Sequence, residues 1–283
     1  MYKPTDLNQH LASLGAAPNK RLSQNFLIDG NIIRKIIETA DVQPGDVVLE
    51  IGPGPGALTA AILQAGAAVV AVEKDPLLAQ GLDKLQTPDN RLEVFQEDIL
   101  AFPLSRLKPR LPAGRKAKVI SNLPYHLTTP ILKKLIQEEG RELFSELILM
   151  VQDEVAKRFV AKPRTPDYGS LTLFLHFYTT PKYAFKVSNS CFFPKPKVHS
   201  AIVKITLKEP EAVTDTEIFF KMTRRAFEQR RKMLRVSLSQ IVSPKILSEA
   251  LIKLALPATS RPEELSLAQF IALYESIREQ LTP

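Results

Sequence analysis

The sequence predicts an α/β fold, in which a Rossmann-like, mostly parallel sheet is followed by a small C-terminal all-helical domain. Short apolar runs alternate with helix-like stretches through the first half of the chain, a pattern typical of βαβ units. Beyond about residue 208 strand-like runs are absent and helical periodicity takes over. We therefore predict a sheet domain over residues 1–208 and a helical domain over residues 209–283.

The strand-like runs of the first domain fall into two groups. The parallel part of the sheet is predicted at residues 47–52, 69–73, 92–95, 119–121 and 147–151. Two further β-rich runs, at 183–187 and 201–207, flank a proline-rich loop and are expected to form an antiparallel hairpin at a sheet edge. Helices are predicted at 57–65, in a stretch that begins at Pro76, and in a separate stretch that ends at Phe159. After a polar linker at 208–216, helices are predicted at 217–241, 244–254 and 266–280.

Composition and charge indicate a polyanionic partner. The chain has 283 residues, with 38 Lys and Arg against 30 Asp and Glu, which gives a formal charge of +8. Such a surplus suits phosphate neutralisation. A single cysteine, Cys191, excludes an intrachain disulfide and favours a reducing, cytoplasmic location. We expect no signal peptide, membrane span or metal site, because the chain has neither a long apolar run nor clustered histidine and cysteine ligands.

A glycine-rich turn joins the first predicted strand to its helix. Residues 50–56 are Glu-Ile-Gly-Pro-Gly-Pro-Gly. Glycines at this position permit a tight turn and let backbone amides approach a ligand closely. Because dinucleotide enzymes use a similar turn, the loop alone does not identify the cofactor.

Two acidic residues follow neighbouring predicted strands. Glu73 ends the second strand, where a carboxylate can accept both hydroxyls of a ribose. Asp98 follows the third strand and can accept a hydrogen bond from an adenine amine, or can be an ordinary loop or cap residue. Both NAD and S-adenosyl-L-methionine carry an adenosine, so these residues leave either cofactor open.

The tetrapeptide Asn122-Leu123-Pro124-Tyr125 directly follows the fourth predicted strand, at the sheet edge where ligands bind. An adenine amine is a poor nucleophile because its lone pair is delocalised into the ring. Two acceptors aimed at its N–H bonds favour a pyramidal nitrogen, and the Asn122 side-chain oxygen and the Leu123 carbonyl can supply them. Tyr125 offers a face on which the base can stack. Positioning and hydrogen bonding then suffice for catalysis, which favours methyl transfer and S-adenosyl-L-methionine.

Two other segments can border this site. Residues 21–27 are Arg-Leu-Ser-Gln-Asn-Phe-Leu and can close over the cofactor, or can form only a helix entry capped by Asn25 or Asp29. Residues 191–197 interleave aromatic residues, prolines and lysines. Phe192 or Phe193 can sandwich a flipped base opposite Tyr125, or can be core residues of a rigid loop.

The first helix of the second domain has a predicted basic face. Its members are Lys221, Arg224, Arg225, Lys232 and Arg235, with Arg230 and Arg231 beside them. The opposite face is apolar and carries Phe220, Phe227, Leu234 and Leu238. We predict that the basic face contacts an RNA backbone, the alternative being a solvated charged face.

Taken in order, these motifs resemble the small-subunit ribosomal RNA adenine dimethyltransferases. They extend over nearly the whole chain: Gln24-Asn25-Phe26-Leu27, Glu-x-Gly-x-Gly-x-Gly, Glu73, Asp98, Asn-Leu-Pro-Tyr, Phe-x-Pro-x-Pro-x-Val-x-Ser at 192–200, and Phe227-x-x-Arg-Arg-Lys. The resemblance implies a seven-strand methyltransferase sheet with a small helical domain. It also implies that two adjacent adenosines in the 3′-terminal hairpin of the small-subunit RNA become dimethyladenosines, late in ribosome assembly.

The resemblance also implies roles for individual residues. By motif match the cofactor pocket is lined by Asn25, Leu27, Gly52, Glu73, Asp98 and Asn122. By the same match Asn122 and Tyr125 also face the target base. Together with the residue patterns described above, the catalytic candidates are Asn122, Leu123 and Tyr125, and the RNA candidates are Tyr125, Phe192, Phe193, Arg224, Arg225, Arg231 and Lys232. One departure is Ser23, which stands where the family usually has glycine and can restrict the conformation of its loop. We expect the partner to be small-subunit RNA or an assembling particle, and the protein to be a monomer.

Other functions fit parts of the pattern. Similar methyltransferases modify large-subunit RNA, but the helical domain matches the small-subunit enzymes better. A DNA adenine methyltransferase is disfavoured because no extra target-recognition domain is evident. A non-catalytic ribosome-assembly or transcription factor is disfavoured by the intact Asn-Leu-Pro-Tyr motif, and a dehydrogenase by the same motif and the lack of an evident hydride-transfer acid.

Overall fold

The computed structural model describes residues 4–19 and 24–281. Ser23, at which the sequence departs from the family pattern, lies outside the described residues, as do Arg21 and Leu22. Among the residues that the structure describes, no helix is both long and apolar enough to cross a bilayer.

The secondary structure alternates between strands and helices up to residue 207 and is helical beyond it. The strands are β1 (Phe26–Leu27), β2 (Val47–Ile51), β3 (Ala68–Glu73), β4 (Leu92–Gln96), β5 (Ala117–Asn122), β6 (Phe144–Gln152), β7 (Thr179–Val187), β8 (Phe192–Phe193) and β9 (Ser200–Leu207). The α-helices are α1 (Pro4–Ser13), α2 (Gly30–Ala40), α3 (Ala57–Gln64), α4 (Pro76–Gly81), α5 (Thr128–Ile136), α6 (Glu138–Leu143), α7 (Asp153–Phe159), α8 (Ser170–Tyr178), α9 (Thr216–Glu228), α10 (Leu234–Ser237), α11 (Pro244–Lys253) and α12 (Leu267–Ile277).

A seven-stranded sheet has the order β4-β3-β2-β5-β6-β9-β7. The first five strands in this order are parallel, and β9 is antiparallel to β6. This arrangement confirms the predicted α/β class, and it places the two β-rich runs of the predicted hairpin side by side at one edge. The sequence did not predict the small antiparallel sheet of β1 and β8, in which Phe26 pairs with Phe193 and Leu27 with Phe192.

The central strands are apolar because the sheet is covered on both faces. All five residues of β2 are buried, and so are the last five of β3. Helix α2 is capped by Asp29, whose carboxylate accepts hydrogen bonds from the backbone N–H groups of Asn31 and Ile32. The parallel arrangement directs the carboxyl ends of β2, β3, β4 and β5 to the same edge of the sheet.

The chain forms two compact units whose limits differ from the predicted domains. The first contains the residues up to Ala156 together with Lys182–Leu207, and the second contains Lys157–Pro181 together with the chain from Lys208 onward. The predicted boundary after residue 208 therefore marks the last point at which the chain passes from the first unit to the second, but α8 also belongs to the second unit. Aromatic packing explains this assignment, because Phe174 of α8 lies 5.2 Å from Phe220 of α9 between ring centroids.

The predicted continuous helix over residues 217–241 is wrong. Helix α9 ends at Glu228, Gln229 has φ −119° and ψ 53°, and a new helix begins only at Leu234. Tertiary hydrogen bonds explain the break. The guanidinium of Arg230 donates to the Glu263 carboxylate and to the backbone carbonyls of residues 165 and 166, so the chain turns where helical periodicity alone would continue.

A lysine whose side chain is only 15% exposed, Lys118, connects α2 to the sheet within the first unit. The Lys118 ammonium donates to the carbonyls of residues 40 and 41, at 2.9 and 2.7 Å, where α2 ends. It also lies 3.0 Å from Asp46 and 3.5 Å from Glu146, and Glu146 in turn pairs with Lys204. Cations are favourable at helix C-termini because the last carbonyls carry partial negative charge.

We predict that Lys118→Met destabilises the protein by about 2–3 kcal/mol. The largely buried Asp46 carboxylate and two carbonyls at the end of α2 lose their cation, and Glu146 keeps only Lys204. Urea unfolding followed by circular dichroism measures this as a lower midpoint. Lys116→Met is the matched control, since Lys116 is exposed and donates to the carbonyl of Arg141. Equal midpoints for the two variants would show that the buried network contributes nothing.

Candidate active site

A cavity of about 180 Å³ opens at the carboxyl edge of the sheet in the first unit. It is lined by Gln24, Asn25, Phe26, Ile51, Gly52, Gly54, Val72, Glu73, Lys74, Leu78, Glu97, Asp98, Ile99 and residues 122–127. The structure thus brings together most of the residues that the sequence selected for the cofactor and the chemistry. Open parallel sheets bind ligands at this edge, where consecutive loops converge.

The glycine loop after β2 requires glycine for two different reasons. Gly54 has φ +58°, and a Cβ there would lie only 2.9 Å from the Phe26 ring, so the loop and β1 are in direct contact. Gly52 has φ +63° and no atom within 4 Å of the Cβ position. The backbone at Gly52 therefore faces open space, as a loop that a ligand approaches closely must.

Glu73 is held by backbone amides at the end of β3. Its side chain is 6% exposed, Gly54 N–H donates to Oε2 at 3.0 Å, and Asp75 N–H donates to Oε1 at 2.9 Å. Burial raises the pKa of Glu73, and these two hydrogen bonds counteract that effect. A carboxylate has about four acceptor sites, so two hydroxyl groups of a ligand can still bind.

Asp98 lies at the rim of the same cavity, paired with a lysine. Its Oδ2 accepts from the Lys74 ammonium at 2.9 Å and its Oδ1 from Leu100 N–H at 2.9 Å. The hydrogen bond from Lys74, followed by that from Leu100, lowers the pKa of Asp98, so the group is a carboxylate at neutral pH. An acceptor for an amine is therefore present where the sequence predicted one.

The orientation of Asn122 is fixed by its neighbour across the cavity. The side-chain nitrogen of Asn122 donates to the backbone carbonyl of Asn25 at 3.0 Å. Because a carbonyl oxygen can only accept, the NH₂ end of the amide must face Asn25. The side-chain oxygen of Asn122 is then the atom that remains to accept a hydrogen bond from a ligand.

Tyr125 is held through its hydroxyl. Its Oη lies 2.7 Å from Oγ of Ser200, a buried residue at the start of β9. Burial raises the pKa of Tyr125, so the phenol stays neutral and its ring remains a stacking surface. Ser200 is the last residue of the Phe-x-Pro-x-Pro-x-Val-x-Ser motif, and the sequence assigned it no role.

Three predicted site residues lie away from the cavity wall. Leu27 and Phe192 are 8% and 3% exposed and belong to the hydrophobic core beneath the sheet. Phe193 packs beside Phe26 in a small apolar cluster that also contains α1 residues. The burial of Phe192 in the core cluster favours the alternative that it is a core residue over the prediction that it stacks on a base.

The sequence missed the residues that support the site from behind. Asp75 carries the amide that binds Glu73, and its own side chain accepts from Gln24 at 3.1 Å. Burial raises the pKa of Glu50 to about 8. Glu50 Oε2 has no hydrogen-bond partner among the described residues. Only the family motif Glu-x-Gly drew attention to this residue, since a lone buried acid in a strand has no distinctive periodicity.

The basic residues among the RNA candidates lie on the second unit, considered by itself. Arg224 is exposed on α9, and Arg225 pairs with Glu228. Arg231 and Lys232 are exposed in the turn after α9 and border two cavities of about 710 and 760 Å³. Both cavities are also lined by Arg164 and Arg261, which the sequence analysis did not select. We call Arg164, Arg231, Lys232 and Arg261 the basic cluster.

Comparison with known proteins places the chain among rRNA-modifying enzymes. The profile of the family described as "Ribosomal RNA adenine dimethylase" matches residues 15–279. A ribosomal RNA small subunit methyltransferase A of Protochlamydia amoebophila is 56% identical, covering 98% of this chain and 97% of its own. The protein of the same name from Chlamydia trachomatis serovar L2 is 44% identical over 96% of this chain and 97% of its own.

Solved structures show the same relationship. A dimethyladenosine transferase of Plasmodium falciparum superposes with a TM-score of 0.75 at 25% identity, covering 90% of this chain and 98% of its own. The 23S rRNA methyltransferase ErmE superposes with a TM-score of 0.67 at 26% identity, over 90% and 100% of the two chains. These similarities confirm the resemblance indicated by the motifs, with the predicted fold, enzyme class and cofactor. The chain belongs to the ribosomal RNA adenine dimethylase family.

Proposed function

We propose that this protein dimethylates the exocyclic amines of two adjacent adenosines in the 3′-terminal hairpin of small-subunit ribosomal RNA, with S-adenosylmethionine as the methyl donor. The observation that carries the proposal is the Asn122 amide. It lies at the carboxyl end of β5, its nitrogen is committed to the Asn25 carbonyl, and it borders the same cavity as Glu73.

The cavity has the chemistry that the cofactor requires. When bound, S-adenosylmethionine supplies an electrophilic methyl group on a sulfonium centre. Glu73 would accept the ribose hydroxyls, and Asp98 at the rim would accept the adenine amine. Apolar side chains of Val72, Leu78 and Ile99 line the same wall and can contact the adenine ring. The open space beside Gly52 allows the ligand to approach the backbone.

The target amine is activated by hydrogen bonds rather than by a strong base. Asn122 Oδ1 accepts one N–H of the adenine amine, and the Leu123 carbonyl accepts the other. These contacts favour a pyramidal nitrogen whose lone pair points at the methyl group. Tyr125, fixed by Ser200, provides the ring on which the base stacks. The methylated ammonium loses its proton readily, so the residues need only hold the base in line with the donor.

The choice of small-subunit RNA rests on the relatives. Proteins named for the small subunit are 44–56% identical to this chain, whereas the 23S enzyme ErmE is 26% identical. In our proposal the basic cluster and the exposed face of α9 bind the phosphate backbone of that RNA or of an assembling particle. The protein acts as a monomer in the cytoplasm, where its single cysteine stays reduced.

We predict that purified protein transfers labelled methyl groups to unmethylated small-subunit particles at two adjacent adenosines, and that Asn122→Ala slows turnover about 100-fold at saturating cofactor. Mass spectrometry of nuclease fragments locates the modification. The control Asn31→Ala, at an exposed helix N-terminus, should keep full activity. Methylation of large-subunit particles instead, or wild-type turnover by Asn122→Ala, would contradict the proposal.

We predict that Glu73→Gln weakens cofactor binding about 10- to 100-fold, because the buried carboxylate loses its charge where the ribose hydroxyls bind. Isothermal titration calorimetry measures the dissociation constant directly. The matched control is Glu93→Gln on the adjoining strand β4, where Glu93 pairs with Arg110 away from the cavity. Equal affinities for both variants would remove Glu73 from the cofactor site.

We predict that reversing the charges of Arg231 and Lys232 to Glu weakens RNA binding. The negative slope of log K against log salt should become shallower by about 1–2, since each phosphate contact contributes about 0.9 to its magnitude. The control reverses Lys245 and Lys253, which are exposed on α11 outside the basic cluster. Both double variants lose the same net charge. An identical loss in the two would mean that overall charge, and not the basic cluster, binds the RNA.

A further inference from the structure

The segment from Gln24 to Leu27, which we call the arm, contacts three separate parts of the active site. Asn25 O accepts from Asn122, the Phe26 ring lies against Gly54 of the glycine loop, and the Gln24 side chain donates to Asp75. The position of the arm therefore determines where the Asn122 amide is held.

The amide of Gln24 can take only one orientation. Its nitrogen donates to Asp75 Oδ2 at 3.1 Å, and its oxygen accepts from Asn19 N–H at 2.7 Å. A carboxylate only accepts and a backbone N–H only donates, so turning the amide over would lose both bonds.

Asp75 connects this bond to the cofactor side of the pocket. One carboxylate oxygen caps α4 through the N–H groups of residues 77 and 78, at 3.0 and 3.4 Å. The other accepts from Gln24, while Asp75 N–H donates to Glu73 at 2.9 Å. A single residue thus orients the ribose-binding carboxylate and anchors the arm.

We propose that Asp75 and Gln24 are positioning residues: their hydrogen bond holds the arm so that the Asn25 carbonyl keeps the Asn122 oxygen aimed at the target amine. This inference rests on the proposed function. Neither side chain touches the reacting atoms. Their effect reaches the chemistry through Asn122 and the cofactor through Glu73.

Exchanging the carboxylate and the amide between positions 75 and 24 tests the hydrogen bond between these two side chains by itself. In Asp75→Asn the new NH₂ faces the NH₂ of Gln24, so two donors meet. Turning the Gln24 amide over would place its NH₂ against the N–H of Asn19. Turning the new amide at position 75 over would place its NH₂ against the N–H groups that cap α4. Asn is as good a helix cap as Asp, so the cap itself survives. Adding Gln24→Glu restores an acceptor opposite the new donor, still accepts from Asn19, and leaves the net charge unchanged.

We expect Asp75→Asn and Gln24→Glu each to lower kcat about tenfold and to raise the KM for S-adenosylmethionine. The effect of Gln24→Glu should be the larger one, because it places two carboxylates against each other. The double variant should recover to within about twofold of wild type. Gln24→Met, which adds no charge and leaves the cap untouched, should resemble Asp75→Asn. Asp215→Asn makes the same change at the cap of α9 and should have no effect.

Methyl transfer to small-subunit particles, cofactor calorimetry and thermal midpoints are measured for every variant. Wild-type kcat in both single variants and in Gln24→Met would overturn the inference. So would a double variant no better than Asp75→Asn, since a purely structural cap cannot be rescued from position 24. If the wild-type protein itself transfers no methyl group, the proposed function fails, which is a separate result.

Discussion

The carbonyl oxygen of Asn25 can only accept a hydrogen bond, and this determines which end of the Asn122 amide faces the cavity. An asparagine on an open surface can turn its amide over at little cost. Here the nitrogen is committed at 3.0 Å to the arm, so the oxygen is presented to the cavity. A site that activates a weak nucleophile by accepting hydrogen bonds from its N–H groups depends on this orientation. The opposite orientation of the amide would offer a donor where an acceptor is needed.

The parallel sheet explains why so few residues make a complete site. The carboxyl ends of β2, β3, β4 and β5 deliver a glycine loop, two carboxylates and an asparagine to one edge. The two buried acids, Glu73 and Glu50, have different environments. Glu73 accepts hydrogen bonds from backbone amides, whereas burial keeps Glu50 largely protonated near neutral pH. Glu73 therefore keeps oriented acceptor oxygens at the place where, in our proposal, the ribose hydroxyls bind.

Much of this could be predicted from sequence, because strand periodicity and the order of motifs are local signals. The class of fold, the glycine loop, Glu73, Asp98 and the Asn-Leu-Pro-Tyr turn were found in this way. The sequence left open whether Phe192 stacks on a base or belongs to the core, because its strand partner, Leu27, is far away in the chain. The helix break after Glu228 depends on Arg230 reaching residues 165, 166 and 263, which no local pattern reveals.

The hydrogen bonds that hold the site in place could not be predicted, for a related reason. Asp75, Gln24 and Ser200 act through hydrogen bonds that span 51 and 75 positions of sequence. Gln24 and Ser200 lie in motifs that the sequence singles out and Asp75 has the common local role of a helix cap, but nothing in their own neighbourhoods indicates which residues they bind. Contacts of this kind become visible only when the fold brings the partners together.

The most direct test of the central claim is a crystal structure of the protein with S-adenosylhomocysteine and an adenosine-containing RNA. The account predicts that Asn122 Oδ1 lies within hydrogen-bond distance of the adenine amine, with the base against Tyr125 and the ribose of the cofactor on Glu73. An adenine whose amine is turned away from Asn122, or a cofactor bound outside the cavity of Glu73, would contradict it.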